Sequence, residues 1–286
     1  MVYLRANGVV LNIELCGKGE PVLLISDIGE DLTYWSFQTG NFGRLHFLMR
    51  LDNRGSGWSD CPAEGWSIQA MARDMICTMD LVGVERAHVV GMGLGGMIAL
   101  EMALQRPGRV GGLVLASSSA RATVQQREVY GTLAMSARSG LDDAAISRSM
   151  VPWLYSAWFL ENDRWREFVI RARASGYRGT SWAGFSAQFD AMLRFDVRER
   201  LPEIAAPTLV VSGGEDRLTP PSCSGELVSG IPDARRADLK AGHQLQVELP
   251  RSFNQAVLGF LAEVEGSPVP DLGDGMPMPC GGRFGL

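Results

Sequence analysis

The sequence predicts an α/β protein with a mainly parallel sheet that helices cover on both faces. Short apolar runs of strand length recur along the chain, and stretches with apolar residues three and four positions apart separate them. Strands that are apolar throughout are typical of parallel sheets buried on both faces. With 286 residues, of which 46% are hydrophobic and 21% charged, the chain is long enough for one such core and a smaller lobe.

The predicted strands and helices follow one another in a regular order. The N-terminal residues already have a strand pattern, and the later strand runs are Val9–Leu15, Val22–Ile25, His46–Leu51, Ala87–Val90, Val110–Ala116 and Thr208–Ser212. Helical spacing of apolar residues is found in Ser67–Leu81, Leu94–Gln105 and Ser252–Val264. This alternation predicts one α/β core, formed by residues 1–116 and 197–265.

Two segments depart from the alternation. Residues 117–196 contain no clear strand but more than half of the chain's aromatic residues, which predicts a helical lid over the core. We expect most of these aromatic side chains to pack the lid onto the core and a few to line a pocket. Residues 266–286 form a tail rich in proline and glycine. We expect this tail to contact the protein through Met276, Met278 and Phe284.

The composition argues against several classes of function. A net charge of −5 without a basic stripe is atypical of a protein that binds nucleic acid. No apolar run approaches the ~18 residues that a membrane span needs, and the N-terminus lacks a signal-peptide pattern. Five cysteines without CxxC spacing indicate reduced thiols in a cytoplasm. The three histidines lack metal-ligand spacing, so we expect neither a metal nor another cofactor.

A glycine-rich turn, Gly-Met-Gly-Leu-Gly-Gly at residues 91–96, joins a predicted strand to a predicted helix. Gly91, Gly93 and Gly96 satisfy the dinucleotide pattern GxGxxG, although several strands precede it and the next strand lacks the acid that would bind a ribose. The same residues fit the nucleophile elbow GxSxGG, with glycine in place of serine. A third interpretation is a turn that only permits close packing of the helix.

Three further motifs accompany this turn, and all of them resemble motifs of one protein family. They are Asp-Asn-Arg-Gly-Ser-Gly-Trp-Ser-Asp at residues 52–60, Gly213-Gly214-Glu215-Asp216 with Thr219-Pro220, and Gly242-His243 with Glu248 and Pro250. With the turn, they make residues 9–261 resemble the α/β-hydrolase superfamily, near its enol-lactonase and C–C hydrolase branch. The resemblance implies the α/β-hydrolase fold with a helical lid.

The resemblance also implies roles for individual residues. Asp216 would orient His243, and the amides of Ile28 and Leu94 would form the oxyanion hole. Met92 and Gly93 would lie beside the substrate.

Two positions depart from the family pattern. Gly93 stands where the resemblance implies the attacking serine, and Ser26-Asp27 stands where it implies a His-Gly pair. Glycine carries no nucleophile, so no acyl-enzyme forms at residue 93. Because two linked positions differ, we expect natural divergence rather than an engineered change. His243 is expected to take a proton directly from the substrate. Asp27 is either a second acid or base, or an acceptor of backbone hydrogen bonds in its own turn.

From these departures we expect a cofactor-independent, non-hydrolytic enzyme that tailors a natural product. Base-assisted C–C bond formation, cyclisation, rearrangement and oxygenation all begin with removal of a substrate proton, and the sequence does not separate them. The expected partner is an aromatic or polycyclic small molecule, and the expected state is a cytoplasmic monomer or homodimer. A non-catalytic binding protein is the alternative. An NAD(P)-dependent oxidoreductase, which would use the glycine-rich turn, is a third possibility.

Overall fold

A computed structural model describes residues 2–176 and 181–273, and its centre is an eight-stranded sheet. The strands are β1 (Val2–Ala6), β2 (Val9–Cys16), β3 (Pro21–Ile25), β4 (Phe47–Leu51), β5 (Ala87–Met92), β6 (Val110–Ala116), β7 (Thr208–Gly213) and β8 (Ala234–Leu239). They lie in the order β1-β2-β4-β3-β5-β6-β7-β8. β2 pairs antiparallel with β1 and β4, and all other neighbours are parallel. The predicted α/β class and its mainly parallel sheet are confirmed.

The apolar strands sit in the middle of the sheet because both of their faces are covered. In β3, Leu23 and Ile25 pack into one apolar cluster and Val22 and Leu24 into another on the opposite face. Burial of each such side chain stabilises the fold by roughly 1.5–3 kcal/mol. β8 was not predicted from the sequence. It is an edge strand whose exposed side chains include two arginines, so it shows no apolar run.

Helices cover both faces of this sheet, and further helices form the insertion between β6 and β7. They are α1 (Ser36–Leu45), α2 (Ile68–Leu81), α3 (Leu94–Gln105), α4 (Val124–Arg138), α5 (Asp143–Leu154), α6 (Ala157–Glu161), α7 (Asp163–Gly176), α8 (Trp182–Leu193), α9 (Pro221–Gly230), α10 (Leu245–Glu248) and α11 (Pro250–Glu265). The apolar sides of α2 and α3 share the cluster that contains Leu23 and Ile25. Those of α1 and α11 share the cluster on the other face.

The segment between β6 and β7 is helical, as predicted, and in the described chain it holds α4 to α8. Its aromatic residues pack mainly on one another. The Tyr130 ring meets Phe185 edge-on at 5.9 Å, and the Tyr155 and Phe159 rings stack at 5.2 Å. A role of this insertion as a lid, and its bounds at residues 117–196, stay predictions.

The first part of the tail lies along α11. The Arg251 side chain donates a hydrogen bond to the carbonyl oxygen of Gly273 at 2.7 Å, and Leu272 packs against the apolar cluster under α11. The predicted anchors Met276, Met278 and Phe284 lie outside the described residues.

In the part of the chain that the structure describes, no helix is long and apolar enough to cross a membrane. No group of three histidine, cysteine or acidic side chains within residues 2–176 and 181–273 could hold a metal ion. His46 and His88 instead share one carboxylate oxygen of Glu265, at 3.0 and 3.2 Å.

Candidate active site

The glycine-rich turn is a sharp strand-to-helix elbow. β5 ends at Met92, α3 begins at Leu94, and Gly93 between them has φ 53° and ψ −117°. Glycine adopts such angles without the steric cost that a side chain would bring. The neighbouring glycines are required by close packing: a Cβ on Gly91 would lie 2.2 Å from the Gly95 carbonyl oxygen, and one on Gly95 would lie 2.1 Å from the Ile25 carbonyl oxygen. The turn therefore keeps the shape of a nucleophile elbow.

The side-chain space of residue 93 is occupied by another residue. A Cβ built on Gly93 would lie 1.9 Å from Oδ1 and 2.6 Å from Oδ2 of Asp27. Asp27 follows β3, and its side chain is almost completely buried. The strand order places β3 directly beside β5, which brings the two loops together at the carboxyl edge of the sheet. A carboxylate thus lies where a serine on the elbow would point.

Asp27 also fills the predicted oxyanion hole. Its Oδ1 accepts hydrogen bonds from the amides of Ile28 and Leu94, both at 2.7 Å. The Leu94 amide belongs to the N-terminus of α3, where the helix dipole favours negative charge. The two amides are the pair that the family resemblance implies, and in this structure their acceptor is an oxygen of the protein itself.

His243 lies between two carboxylates and is fully buried. Its Nδ1 is 2.9 Å from Oδ2 of Asp216, and its Nε2 is 3.1 Å from Oδ2 of Asp27. Burial works to lower the pKa of the imidazole, but Asp216 and Asp27 outweigh it and raise the pKa to about 10. The ring is therefore a cation near neutral pH. The proton must leave before His243 can act as the predicted base.

Asp216 is held in its ionised form. Burial works to raise its pKa, but His243 and the hydrogen bonds of Thr219 outweigh this and lower the pKa. The Thr219 hydroxyl donates to Oδ2 at 2.6 Å, and the amides of Leu218 and Thr219 donate to Oδ1 at 2.9 and 2.8 Å. Asp216 thus both caps its own turn and orients the imidazole.

The motif at residues 52–60 supports the site without entering it. Asp52 accepts hydrogen bonds from the amides of Leu32 and Trp58, at 2.6 and 2.8 Å. The Asn53 side chain donates to the carbonyl oxygen of Ser26 at 3.0 Å. These bonds hold the loop that carries Asp27 against the neighbouring strand ends.

Two residues support the site from the helical insertion and from the histidine motif: Gln188, which was not singled out from the sequence, and Glu248, which belongs to the motif around His243. Gln188 of α8 accepts a hydrogen bond from the Gly29 amide at 2.8 Å and donates to the Arg54 carbonyl oxygen at 2.7 Å. Glu248 accepts bonds from the amides of Gly242 and Ser156, at 2.9 and 3.0 Å. Both join the helical insertion to catalytic loops. No local pattern marks Gln188, because its partners lie more than 130 residues away in the chain.

Two cavities adjoin the cluster. The smaller, of about 10 Å³, is lined by Asp27, Ile28 and Gln244 together with apolar side chains. The larger, of about 110 Å³, also has Glu30 and Gln244 in its wall, so these two residues separate neighbouring cavities. Met92, a predicted substrate-binding residue, lines neither: it is fully buried in the apolar cluster on the α11 face.

Comparison with known proteins agrees with this geometry. The family model described as alpha/beta hydrolase fold matches residues 41–250. The chain belongs to the α/β-hydrolase family. This assignment replaces the dinucleotide interpretation of the glycine-rich turn.

The relatives carry names that refer to hydrolysis. RutD of Azorhizobium caulinodans, named as a carbamate hydrolase, is 33% identical over 93% of this chain and all of its own length. The enol-lactonase from Burkholderia xenovorans has a TM-score of 0.85 and 26% identity, covering 91% of this chain and all of its own. A thermophilic esterase from Thermogutta terrifontis has a TM-score of 0.82 and 26% identity, covering 92% and 98%. An enzyme of the hydrolase type is therefore indicated.

The expectation of a non-hydrolytic enzyme that tailors natural products is wrong. Relatives that span nearly the whole chain are named for hydrolysis, and natural-product biosynthesis is not among their names. That expectation took the glycine at position 93 to mean that the whole hydrolytic apparatus was lost. It could not take into account that the carboxylate of Asp27 lies in the same space.

Proposed function

We propose that this protein is a hydrolase in which the Asp27 carboxylate, rather than a serine, attacks the substrate. The observation that carries the proposal is the position of that carboxylate. It occupies the side-chain space of residue 93, with one oxygen in the oxyanion hole and the other 3.1 Å from His243. Nucleophile, histidine and acid are thereby assembled as Asp27, His243 and Asp216.

The two oxygens of Asp27 have different tasks. Oδ1 is held by two amides, so Oδ2 is the atom that attacks an electrophilic carbon of the substrate. A C–O bond forms between Oδ2 and that carbon, and the bond to the leaving group breaks. The leaving group takes the electron pair of that bond. Esterified Asp27 no longer stabilises the charge on His243, so the proton on Nε2 passes through solvent to a leaving alkoxide, whereas a halide leaves as the anion and the proton stays in the solvent. The products of this step are an Asp27 ester and a neutral imidazole.

Hydrolysis of the ester restores the enzyme. Esterified Asp27 carries no charge, so Asp216 alone raises the pKa of His243, and the neutral ring accepts a proton from water. The hydroxide attacks the carboxyl carbon of Asp27, and negative charge develops on Oδ1, against the amides of Ile28 and Leu94. Collapse breaks the bond between the carboxyl carbon and Oδ2, which leaves as the oxygen of the product alcohol and takes the proton of the newly formed carboxyl group. Asp27, which now carries the oxygen of the water, and His243 return to their starting charges. The smaller cavity, of about 10 Å³, is close to the ~10–15 Å³ that one water requires.

This geometry favours a saturated reacting carbon. Because Oδ1 already accepts from both amides, a substrate carbonyl oxygen has no place in the hole while Asp27 occupies it. Epoxides, alkyl halides and activated alkyl esters carry the required carbon. The aromatic or polycyclic substrate expected from the sequence stays a prediction.

The names of the relatives favour a second candidate, hydrolysis of a carbamate, ester or lactone. In that reaction the Asp27 side chain would rotate out of the hole and accept a proton from water. The water oxygen would then attack the substrate carbonyl directly, with no covalent link to the protein.

Single turnover in water enriched in the heavy oxygen isotope separates the two candidates. Enzyme in excess is mixed with styrene oxide, 1-bromobutane, p-nitrophenyl acetate or ethyl carbamate, and the Asp27 peptide and the product are analysed by mass spectrometry. Attack by Asp27 places the heavy oxygen in its carboxylate and ordinary oxygen in the product. A labelled product with an unlabelled Asp27 would overturn the nucleophile proposal and support direct attack by water.

A further inference from the structure

Gln244, the residue after His243, has a side-chain donor without a partner. Its Oε1 accepts a hydrogen bond from the Gln246 side chain at 2.9 Å. Its backbone amide donates to the Leu154 carbonyl oxygen at 2.9 Å, which fixes the main chain. Nε2 is buried and meets no acceptor among the described residues, although the residue is only 2% exposed. An unpaired buried donor is costly, and Gln244 lines both cavities, so an acceptor bound there would relieve that cost.

Tyr34 supplies a second donor of the same kind. Its hydroxyl is buried without a hydrogen-bond partner in the described chain, and the residue lines the larger cavity together with Gln244. Burial, followed by the charges of Asp27 and Glu30, raises the pKa of the phenol well above its usual value. Tyr34 is therefore neutral and able to donate. Two unpaired donors in one cavity wall suit a single acceptor group.

The charges around the cavities restrict the ligand further. Carboxylates of Asp27, Glu30 and Asp31 line the two cavities, and no lysine or arginine is found among the described lining residues. An anionic ligand would be repelled and left without a counter-ion. Aromatic rings of Phe37 and Phe168 form an apolar wall, and the volume of about 110 Å³ suits a compact group. For comparison, an engineered cavity of about 150 Å³ binds benzene.

We infer that Gln244 and Tyr34 form a substrate subsite that binds an uncharged, carbonyl-bearing group of compact size. The subsite lies beside Asp27, so its use during turnover rests on the proposed function. Binding itself does not require turnover. A ligand that carries no leaving group therefore tests the subsite separately from the chemistry.

The probes are cyclopentanone and methylenecyclopentane, which have similar shapes and differ in the carbonyl oxygen, and the anion cyclopentanecarboxylate. Ligand-observed NMR titration measures their Kd for the wild-type protein and for Gln244→Met and Tyr34→Phe. Loss of one neutral hydrogen bond should raise the Kd of cyclopentanone about three- to tenfold in each variant. The Kd of methylenecyclopentane should not change, and cyclopentanecarboxylate should bind more weakly than the ketone.

Thr78→Val is the matched control. The Thr78 hydroxyl is also buried without a partner in the described chain, but it lies in α2 and lines neither cavity. This variant should leave all three Kd values unchanged. An unchanged cyclopentanone Kd in Gln244→Met and Tyr34→Phe, an equal loss of both neutral probes, or no binding of cyclopentanone to the wild type would overturn the subsite. Failure of the isotope experiment alone would overturn only the role of Asp27 as nucleophile.

Discussion

At the scale of single residues, the proposed chemistry depends on a carboxylate that occupies the side-chain space of Gly93. Asp27 contacts both oxyanion-hole amides and the imidazole of His243. Each of these contacts belongs, in a serine enzyme, to the serine or to the substrate oxygen. In the proposed mechanism, Asp27 takes the role that the serine has in such an enzyme.

Asp27→Asn should abolish turnover while keeping the fold. The amide oxygen of asparagine still accepts from Ile28 and Leu94, but an amide is not a nucleophile, so we expect a loss of at least about 10³-fold in kcat. Steady-state kinetics with the substrate found in the isotope experiment measures this loss of kcat. Asp190→Asn, an exposed change on α8, serves as the control and should keep full activity. Normal activity of Asp27→Asn would contradict the proposal.

Gly93→Ser should destabilise the protein without creating a serine hydrolase. A Cβ at residue 93 overlaps the Asp27 carboxylate, and a side chain at φ 53° adds backbone strain, together costing roughly 2–3 kcal/mol in the free energy of unfolding. Urea denaturation gives the free energies of unfolding of the wild type, Gly93→Ser, Asp27→Gly and the double variant. Together these four values form a double-mutant cycle. The double variant should recover part of the stability and react with a fluorophosphonate probe. Labelling of the single Gly93→Ser variant to the same extent would show that Asp27 does not block the elbow.

At the scale of elements, the helical insertion and the core loops are joined by a few buried polar contacts. Gln188 connects α8 to the loop after β3, and Glu248 connects Ser156 in the insertion to the loop that carries His243. Through these bonds the insertion contacts the loops that carry the two amides and the imidazole.

Gln188→Leu should lower kcat more than it changes KM. The substitution leaves the Gly29 amide without its acceptor and frees the loop that holds Ile28, so the oxyanion amides lose their alignment. Loss of these buried bonds should also cost about 2–4 kcal/mol in the free energy of unfolding. Kinetics and urea denaturation measure the two effects. The control is Gln125→Leu, an exposed change on α4 of the same insertion. If kcat stays normal while stability falls, Gln188 is structural only.

At the scale of the whole molecule, one buried cation between two carboxylates makes stability depend on pH. The pKa of His243 is raised from 6.5 to about 10 in the folded state, with burial opposing and the two carboxylates causing the rise. A raised pKa contributes stability that is fully present below the unfolded value of 6.5 and is lost as pH rises through the folded value. The free energy of unfolding should therefore decrease between about pH 7 and pH 10.

Urea denaturation across this range tests the dependence. Other groups titrate in the same window, so the informative quantity is the difference between wild type and Asp27→Asn. The variant keeps only Asp216 beside the imidazole, and its loss of stability with pH should be smaller and occur at lower pH. Parallel curves for the two proteins would show that Asp27 does not hold the proton on His243.

Local patterns in the sequence were sufficient for much of the architecture. Apolar runs predicted the inner strands, helical spacing predicted α2, α3 and α11, and the lack of strand signals at residues 117–196 predicted the helical insertion. The resemblance to the α/β-hydrolase superfamily implied roles for His243, Asp216 and the amides of Ile28 and Leu94, and the structure brings these groups together around Asp27. Edge strand β8 was missed, since an exposed edge needs no apolar run.

Only the tertiary structure shows which group occupies the side-chain space of residue 93. Residue 93 is a glycine in the sequence, and Asp27 is separated from the adjacent Leu94 by 67 positions, so no local pattern could relate them. Only the parallel pairing of β3 with β5 brings the two loops to the same edge and places the carboxylate in the space of an absent side chain. Sequence by itself determined the fold and the parts of the site, and packing of distant segments determined which of those parts meet.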